Sequence, residues 1–168
     1  IYGEAFETAY DACEREGRAR HQLPARALWG KILSSMLETG TPYLLFKDAI
    51  NKKSNQSNVG VVQSSNLCCE IMQVSPPEET AVCNLASVAL PRWCASSEAD
   101  PVDGYDYAGL GLCVGRLVRN LNKVIDRTSY PVVEARRSNL KHRPVAVGVQ
   151  GLHDVYMRAR LAFTDPRA

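Results

Sequence analysis

Between Tyr107 and Arg127 the apolar residues Leu110, Val114, Leu117, Val118, Leu121, Val124 and Ile125 recur at steps of three and four. At about 3.6 residues per turn they fall on one side of a helix, while Arg116, Arg119, Asn120 and Lys123 take the other. A long helix with one apolar side has to lie against another apolar surface. The chain supplies such surfaces in two β-tending runs, residues 80–90 before the helix and residues 144–149 after it. The order strand, loop, helix recurs, with residues 151–160 reading as a further helix. The class that fits is α/β, with helices covering a sheet or barrel.

The other segments follow the same logic. Residues 4–20 mix Ala, Glu and Arg and predict an exposed helix with Phe6, Tyr10 and Cys13 as a narrow buried stripe. From Pro24 a second helical pattern, through Leu28, Trp29, Ile32, Leu33, Met36 and Leu37, runs until Gly40 stops it. Residues 41–46, rich in bulky apolar side chains, predict a strand. The Asn-, Ser- and Lys-rich stretch 51–58 reads as a solvated connection without chemistry of its own. Residues 74–79 carry two prolines and predict a turn that sends the chain back, bringing the runs on either side, and so Cys68 and Cys83, near one another. Residues 94–106 predict an exposed loop, and Tyr130 and Pro131 end the long helix.

Composition excludes several functions. A net charge of +2 with 23% charged residues gives no bias towards nucleic acid or membrane. Arg136, Arg137, Lys141, His142 and Arg143 form a basic patch, but only Tyr130 lies near it to stack on a base, so it reads as a solvated surface. The apolar runs fall short of the ~20 residues that a spanning helix needs, and residues 1–20 are too charged for a signal peptide. A cytoplasmic protein is expected. The six cysteines, Cys13, Cys68, Cys69, Cys83, Cys94 and Cys113, are irregularly spaced and include no Cys-x-x-Cys or Cys-x-x-His pair. Neither a disulfide scaffold nor a metal site is expected.

The chemistry concentrates in Ser65-Asn66-Leu67-Cys68-Cys69-Glu70-Ile71. In an extended chain alternate side chains share a face, so Asn66, Cys68 and Glu70 would line up about 6 to 7 Å apart, with Leu67, Cys69 and Ile71 opposite. Such a row offers a hydrogen-bonding amide, a redox-active or nucleophilic sulfur and a base to one small molecule. On residues alone, a half-buried strand with one polar face is the more ordinary reading.

Further blocks stand around that row: Thr41-Pro42-Tyr43, Asn51-Lys52-Lys53-Ser54-Asn55-Gln56, Val82-Cys83-Asn84-Leu85-Ala86-Ser87, Arg119-Asn120-Leu121-Asn122-Lys123, His142-Arg143-Pro144 and Gly148-Val149-Gln150-Gly151-Leu152. In this order and spacing the sequence resembles the large, catalytic subunit of class I ribonucleotide reductases, in the eukaryotic or large-DNA-virus form. The resemblance covers nearly the whole chain and is weakest in residues 1–30 and 92–107. It implies that residues 1–168 are an internal fragment of the family's catalytic barrel domain, incomplete at both ends. That domain is a ten-stranded α/β barrel with a central finger loop, here the Cys68 segment, and the resemblance makes residues 51–58 its linker between barrel strands, approaching the reaction centre.

The resemblance also implies an activity, the radical reduction of ribonucleoside diphosphates to deoxyribonucleoside diphosphates for DNA synthesis. Cys68 would carry a thiyl radical, Glu70 would act as base, and Asn66 would hold the ribose, with Leu67 beside the substrate. Cys83 would be one member of a redox disulfide whose partner lies outside the chain. No cofactor is expected in the chain itself. The radical would come from a separate metal-containing small subunit, electrons from thioredoxin or glutaredoxin, and ATP or deoxynucleotide effectors would bind elsewhere on a homodimer of the parent subunit. Cys69 departs from the family's usual hydroxyl or apolar residue; in an extended chain it would face away from Cys68 as a small buried side chain. Three other readings compete: a non-enzymatic thiol-bearing interaction domain, a thiol–disulfide oxidoreductase, and an adenosylcobalamin-dependent reductase. The second lacks its Cys-x-x-Cys pair.

Overall fold

The computed structural model describes residues 1–94 and 104–168. Most of the expected loop 94–106 lies outside them. The chain forms two compact units, Ile1–Ser75 and Pro76–Ala168.

The first unit holds three helices, α1 (Glu4–Arg15), α2 (Ala25–Thr39) and α3 (Lys47–Lys53). Pro24 caps α2 in an extended conformation, and Gly40 closes it in the left-handed region at φ 75°, its N–H bonding to the Met36 carbonyl. The stripe expected on α1 is not buried: Phe6 and Tyr10 lie exposed, packed on each other with ring centroids 5.9 Å apart. The strand expected over residues 41–46 is absent, and the segment is irregular. Bulky apolar residues favour strands only where a partner strand offers a ladder, and among the described residues none lies alongside. Residues 51–58, expected to be a solvated connection, are mostly exposed but also hold the end of α3 and the buried Asn51.

The second unit is built as the long apolar stripe requires. Strand β1 (Asn84–Ala89) pairs in parallel with β2 (Val145–Gln150), from Asn84 opposite Val145 to Ala89 opposite Gln150. Parallel neighbours need a crossover, supplied by α4 (Tyr107–Arg127) and α5 (Val133–His142). Helix α4 starts at Asp106, whose carboxylate accepts from the Gly109 N–H at 2.8 Å, and packs against both strands. Its Leu121 and Ile125 join Val88, Leu90 and Ala135 in the core. Along β1, Asn84 and Val88 are buried while Leu85, Ser87 and Ala89 are exposed. Strand β2, expected to be buried, is half-buried at its start and exposed from Gly148 onward.

Helix α5 has no counterpart in the sequence reading. Its buried side is Ala135, Ser138 and Asn139, and polarity is what holds it. Asn84 Nδ2 donates to Asn139 Oδ1 at 2.7 Å and to the Pro144 carbonyl at 2.8 Å, and Asn139 Nδ2 donates to the Tyr130 hydroxyl at 2.7 Å. That hydroxyl donates in turn to the Ile125 carbonyl at 2.6 Å. The chain of bonds ties α4, α5 and β1 together, and each member left without its partner would cost about 1–3 kcal/mol. Gly151 starts α6 (Leu152–Ala159) at φ 76°, where a Cβ would lie 2.7 Å from the Pro91 ring. Only glycine meets both conditions.

Candidate active site

The Cys68 segment is a turn, not a strand. The Cys69 N–H donates to the Asn66 carbonyl at 3.1 Å, and Cys69 takes a left-handed φ of 65°. Ser65 Oγ donates to the Ile71 carbonyl at 2.7 Å, while Asn66 Oδ1 accepts from the Ile71 N–H at 3.1 Å. Local side chain–backbone bonds thus take the groups that a ladder would have used. The expected row of alternating faces does not exist. Its physical reason was present in the sequence, since Ser and Asn opening a run are turn formers.

The turn nevertheless joins two of the three groups. Asn66 Nδ2 donates to Glu70 Oε1 at 2.7 Å, across the base of the loop, while Leu67 and Cys68 stand at its tip. Asn66, Leu67, Cys68 and Glu70 are exposed, Leu67 at 89%, and Cys69 is half-buried. An amide that holds one carboxylate oxygen fixes the plane of the carboxylate. A base and a thiol are therefore presented together on one exposed turn.

Two side chains outside the motif fix where that turn stands. Asn51, at the end of α3, accepts from the Val62 N–H at 2.8 Å and donates to the Val62 carbonyl at 3.1 Å and the Lys47 carbonyl at 3.0 Å. Gln56 Oε1 accepts from the Val74 N–H at 2.7 Å. Val62 and Val74 are buried, so both stems of the excursion are anchored by an apolar side chain and an amide. Lys47 Nζ adds a bond to Gln63 Oε1 at 3.1 Å. The sequence reading took the polar stretch 51–58 as a linker approaching the reaction centre and assigned it no chemistry; the signal in it was two amides placed before a Gly-led apolar stem.

Cys83 lies in the second unit, half-buried, one residue before β1. Its strand is held from both sides. Asn84 is tied to Asn139 as described, and the buried Glu79 pairs with Lys141 and with His142 Nε2, the latter at 2.7 Å. The hydrogen bonds from Lys141 and then His142 hold the Glu79 carboxyl below its ordinary pKa. The basic patch is therefore largely occupied. Arg137 donates to the Glu78 carbonyl at 2.8 Å, and Arg143 forms a two-pronged pair with Asp126 while also bonding Asn122.

Among the described residues no cluster of His, Cys, Asp and Glu could hold a metal ion, and no helix is long and apolar enough to cross a membrane.

A family model described as the barrel domain of ribonucleotide reductase matches residues 1–168. Over 168 residues the chain is 51% identical to ribonucleoside-diphosphate reductase large chain 2 of Saccharomyces cerevisiae, covering all of this chain and 19% of that protein. The large chain of Schizosaccharomyces pombe is 50% identical, again over the whole chain and 20% of its own length. The large subunit of vaccinia virus is 47% identical over the whole chain and 21% of its length. The chain spans about a fifth of the length of these relatives.

Proposed function

The chain belongs to the ribonucleotide reductase barrel-domain family, and from that premise we propose that it carries the reaction loop of a class I ribonucleoside-diphosphate reductase large subunit. The observation that carries the reading is the Asn66–Glu70 hydrogen bond at 2.7 Å, closing an exposed turn with Cys68 at its tip. Deoxygenation of a ribose needs a sulfur, a base and an amide on one small surface, and this turn supplies them.

In this reading a thiyl radical on Cys68 takes the hydrogen atom from C3′ of the ribose, forming S–H as C3′–H breaks. Glu70 accepts the 3′-hydroxyl proton, directly or through a water, and returns it at the end of the cycle, while the C2′ hydroxyl takes a proton from a redox-active thiol and leaves as water. Asn66 orients the ribose hydroxyls and the carboxylate, and Leu67 lies beside the sugar. A cysteine pair supplies two electrons and two protons and closes to a disulfide. Cys83 is one member, its partner lying outside these residues. Cys68 then returns its hydrogen atom to C3′, so the net change is ribonucleoside diphosphate plus dithiol to deoxyribonucleoside diphosphate, disulfide and water.

The same proposal places the chain in a ten-stranded α/β barrel, with β1 and β2 among its strands and the Cys68 turn as its central finger. The radical comes from a separate metal-containing small subunit, and thioredoxin or glutaredoxin restores the dithiol. Effector nucleotides bind outside residues 1–168, on a homodimer in the cytosol. This reaction uses no cofactor held by the chain.

Single-turnover reduction of a ribonucleoside diphosphate by the full-length subunit carrying this sequence, with its radical-generating subunit, tests the reading. Cys68→Ala abolishes product, and Cys83→Ser blocks normal reduction. Normal product from Cys68→Ala would overturn the assignment and leave a thiol-bearing interaction domain.

A further inference from the structure

We propose that Asn51 and Gln56 are positioning residues for Cys68, setting where the reactive turn stands relative to its substrate. The proposal rests on the reductase reading and extends it to two residues that touch no substrate in it. Among the described residues, those of 65–71 hydrogen-bond to one another, and their tip is exposed. The turn is thus internally fixed but gains its position from its stems. Those stems are Val62, gripped on both N–H and carbonyl by the Asn51 amide, and Val74, gripped on N–H by Gln56.

The two anchors come from one short stretch that ends α3 and continues past it, so that both stems refer to one origin. Loss of either lets the turn pivot about the other without undoing its own bonds. Hydrogen-atom transfer from carbon to sulfur falls steeply with distance, and a misplacement of about 1 Å can cost 100-fold in rate. Placement of Cys68 therefore depends on these amides as much as on the motif itself.

The test compares Gln56→Met, which removes the acceptor at similar volume, with Gln56→Glu, which keeps an oxygen for the Val74 N–H. Asn51→Asp serves as a second site, because it keeps the acceptor but loses both donations. All are measured in the full-length subunit with its radical partner, well below the lowest Tm of the set. Gln56→Met is expected to lower kcat about 10- to 100-fold with KM for the diphosphate within about threefold. Exchange of the Val74 amide quickens in parallel, and Gln56→Glu restores both. Asn51→Asp lowers kcat similarly while speeding exchange in the segment around Val62.

A wild-type kcat for Gln56→Met, or a loss that Gln56→Glu does not rescue and that follows Tm across the set, would overturn the proposal. The underlying reading fails separately. Turnover by Cys68→Ala removes it, whereas an enzyme that needs Cys68 but is indifferent to both amide sites removes only the positioning role.

Discussion

Cys69 holds a φ of 65°, where the Cβ of an L-residue crowds the backbone. The turn demands it: Cys69 closes back on the Asn66 carbonyl, and only then can Glu70 return to the Asn66 amide at 2.7 Å. Glycine meets that demand at no steric cost, whereas a β-branched side chain meets it worst. Cys69→Gly is therefore expected to keep activity and stability, while Cys69→Val costs about 1–3 kcal/mol locally and loosens the turn. Hydrogen exchange at the Ile71 amide, which bonds to Asn66 Oδ1, reads this directly in the full-length subunit. Equal protection of that amide in wild type and Cys69→Val would show that the left-handed turn is not maintained. At this scale the sequence reading grouped Asn66 and Glu70, which the structure does join, for an insufficient physical reason. Asn66, Cys68 and Glu70 were singled out by their motif, but the shared face expected of them rested on an extended chain, and Ser65 and Asn66 bend the backbone instead.

Glu79 shows the same balance between elements, because it joins the segment before β1 to the last turn of α5 through Lys141 and His142. Lys141 in the last turn also suits the helix dipole, so the carboxylate meets charge that the helix already favours. The sign of its pH dependence follows. A carboxyl whose folded pKa is depressed stabilises the fold fully above its unfolded value, about 4.3, and loses that contribution as pH falls through the lower folded value. Glu79→Gln is thus expected to lower Tm at neutral pH, with the gap to wild type closing as pH drops below about 4. Calorimetry of the full-length pair across that range checks it, and a gap independent of pH would contradict the pairing. Legibility differed among elements for the same physical reason. Helix α4 was read to both ends because Leu121, Ile125 and their neighbours form an apolar stripe. Helix α5 was invisible because it buries Ser138 and Asn139, which carry no hydrophobic period. The failed strand over residues 41–46 had apolar side chains but no partner, and pairing is not written in a single segment.

Across the whole molecule the balance of buried and exposed surface sets what the chain can do alone. Two separate folded globules of half its mass would together expose about 9,900 Å², whereas this chain exposes 12770 Å². The excess is apolar in part: Leu37 is 90% exposed, Phe46 74%, Val149 61% and Leu85 57%. Among the described residues the buried apolar set is small, comprising Val62, Val74, Val88, Leu90, Leu121, Ile125 and Ala135. Ordering the backbone costs about 1–2 kcal/mol per residue, and so small a core offsets little of it. In the barrel proposed above, surfaces from outside residues 1–168 would complete that core. Expressed by itself, the 168-residue chain is expected to unfold without a sharp heat-capacity peak, to bind a hydrophobic dye, and to form no deoxynucleotide with a radical-generating subunit and dithiol. A cooperative transition with an enthalpy near 0.7 kcal/mol per residue would refute the first expectation, since a chain that melts so has a complete core. Product formation would refute the last, and would mean that Cys83 can complete the two-electron step without the partner cysteine that the proposed chemistry places elsewhere.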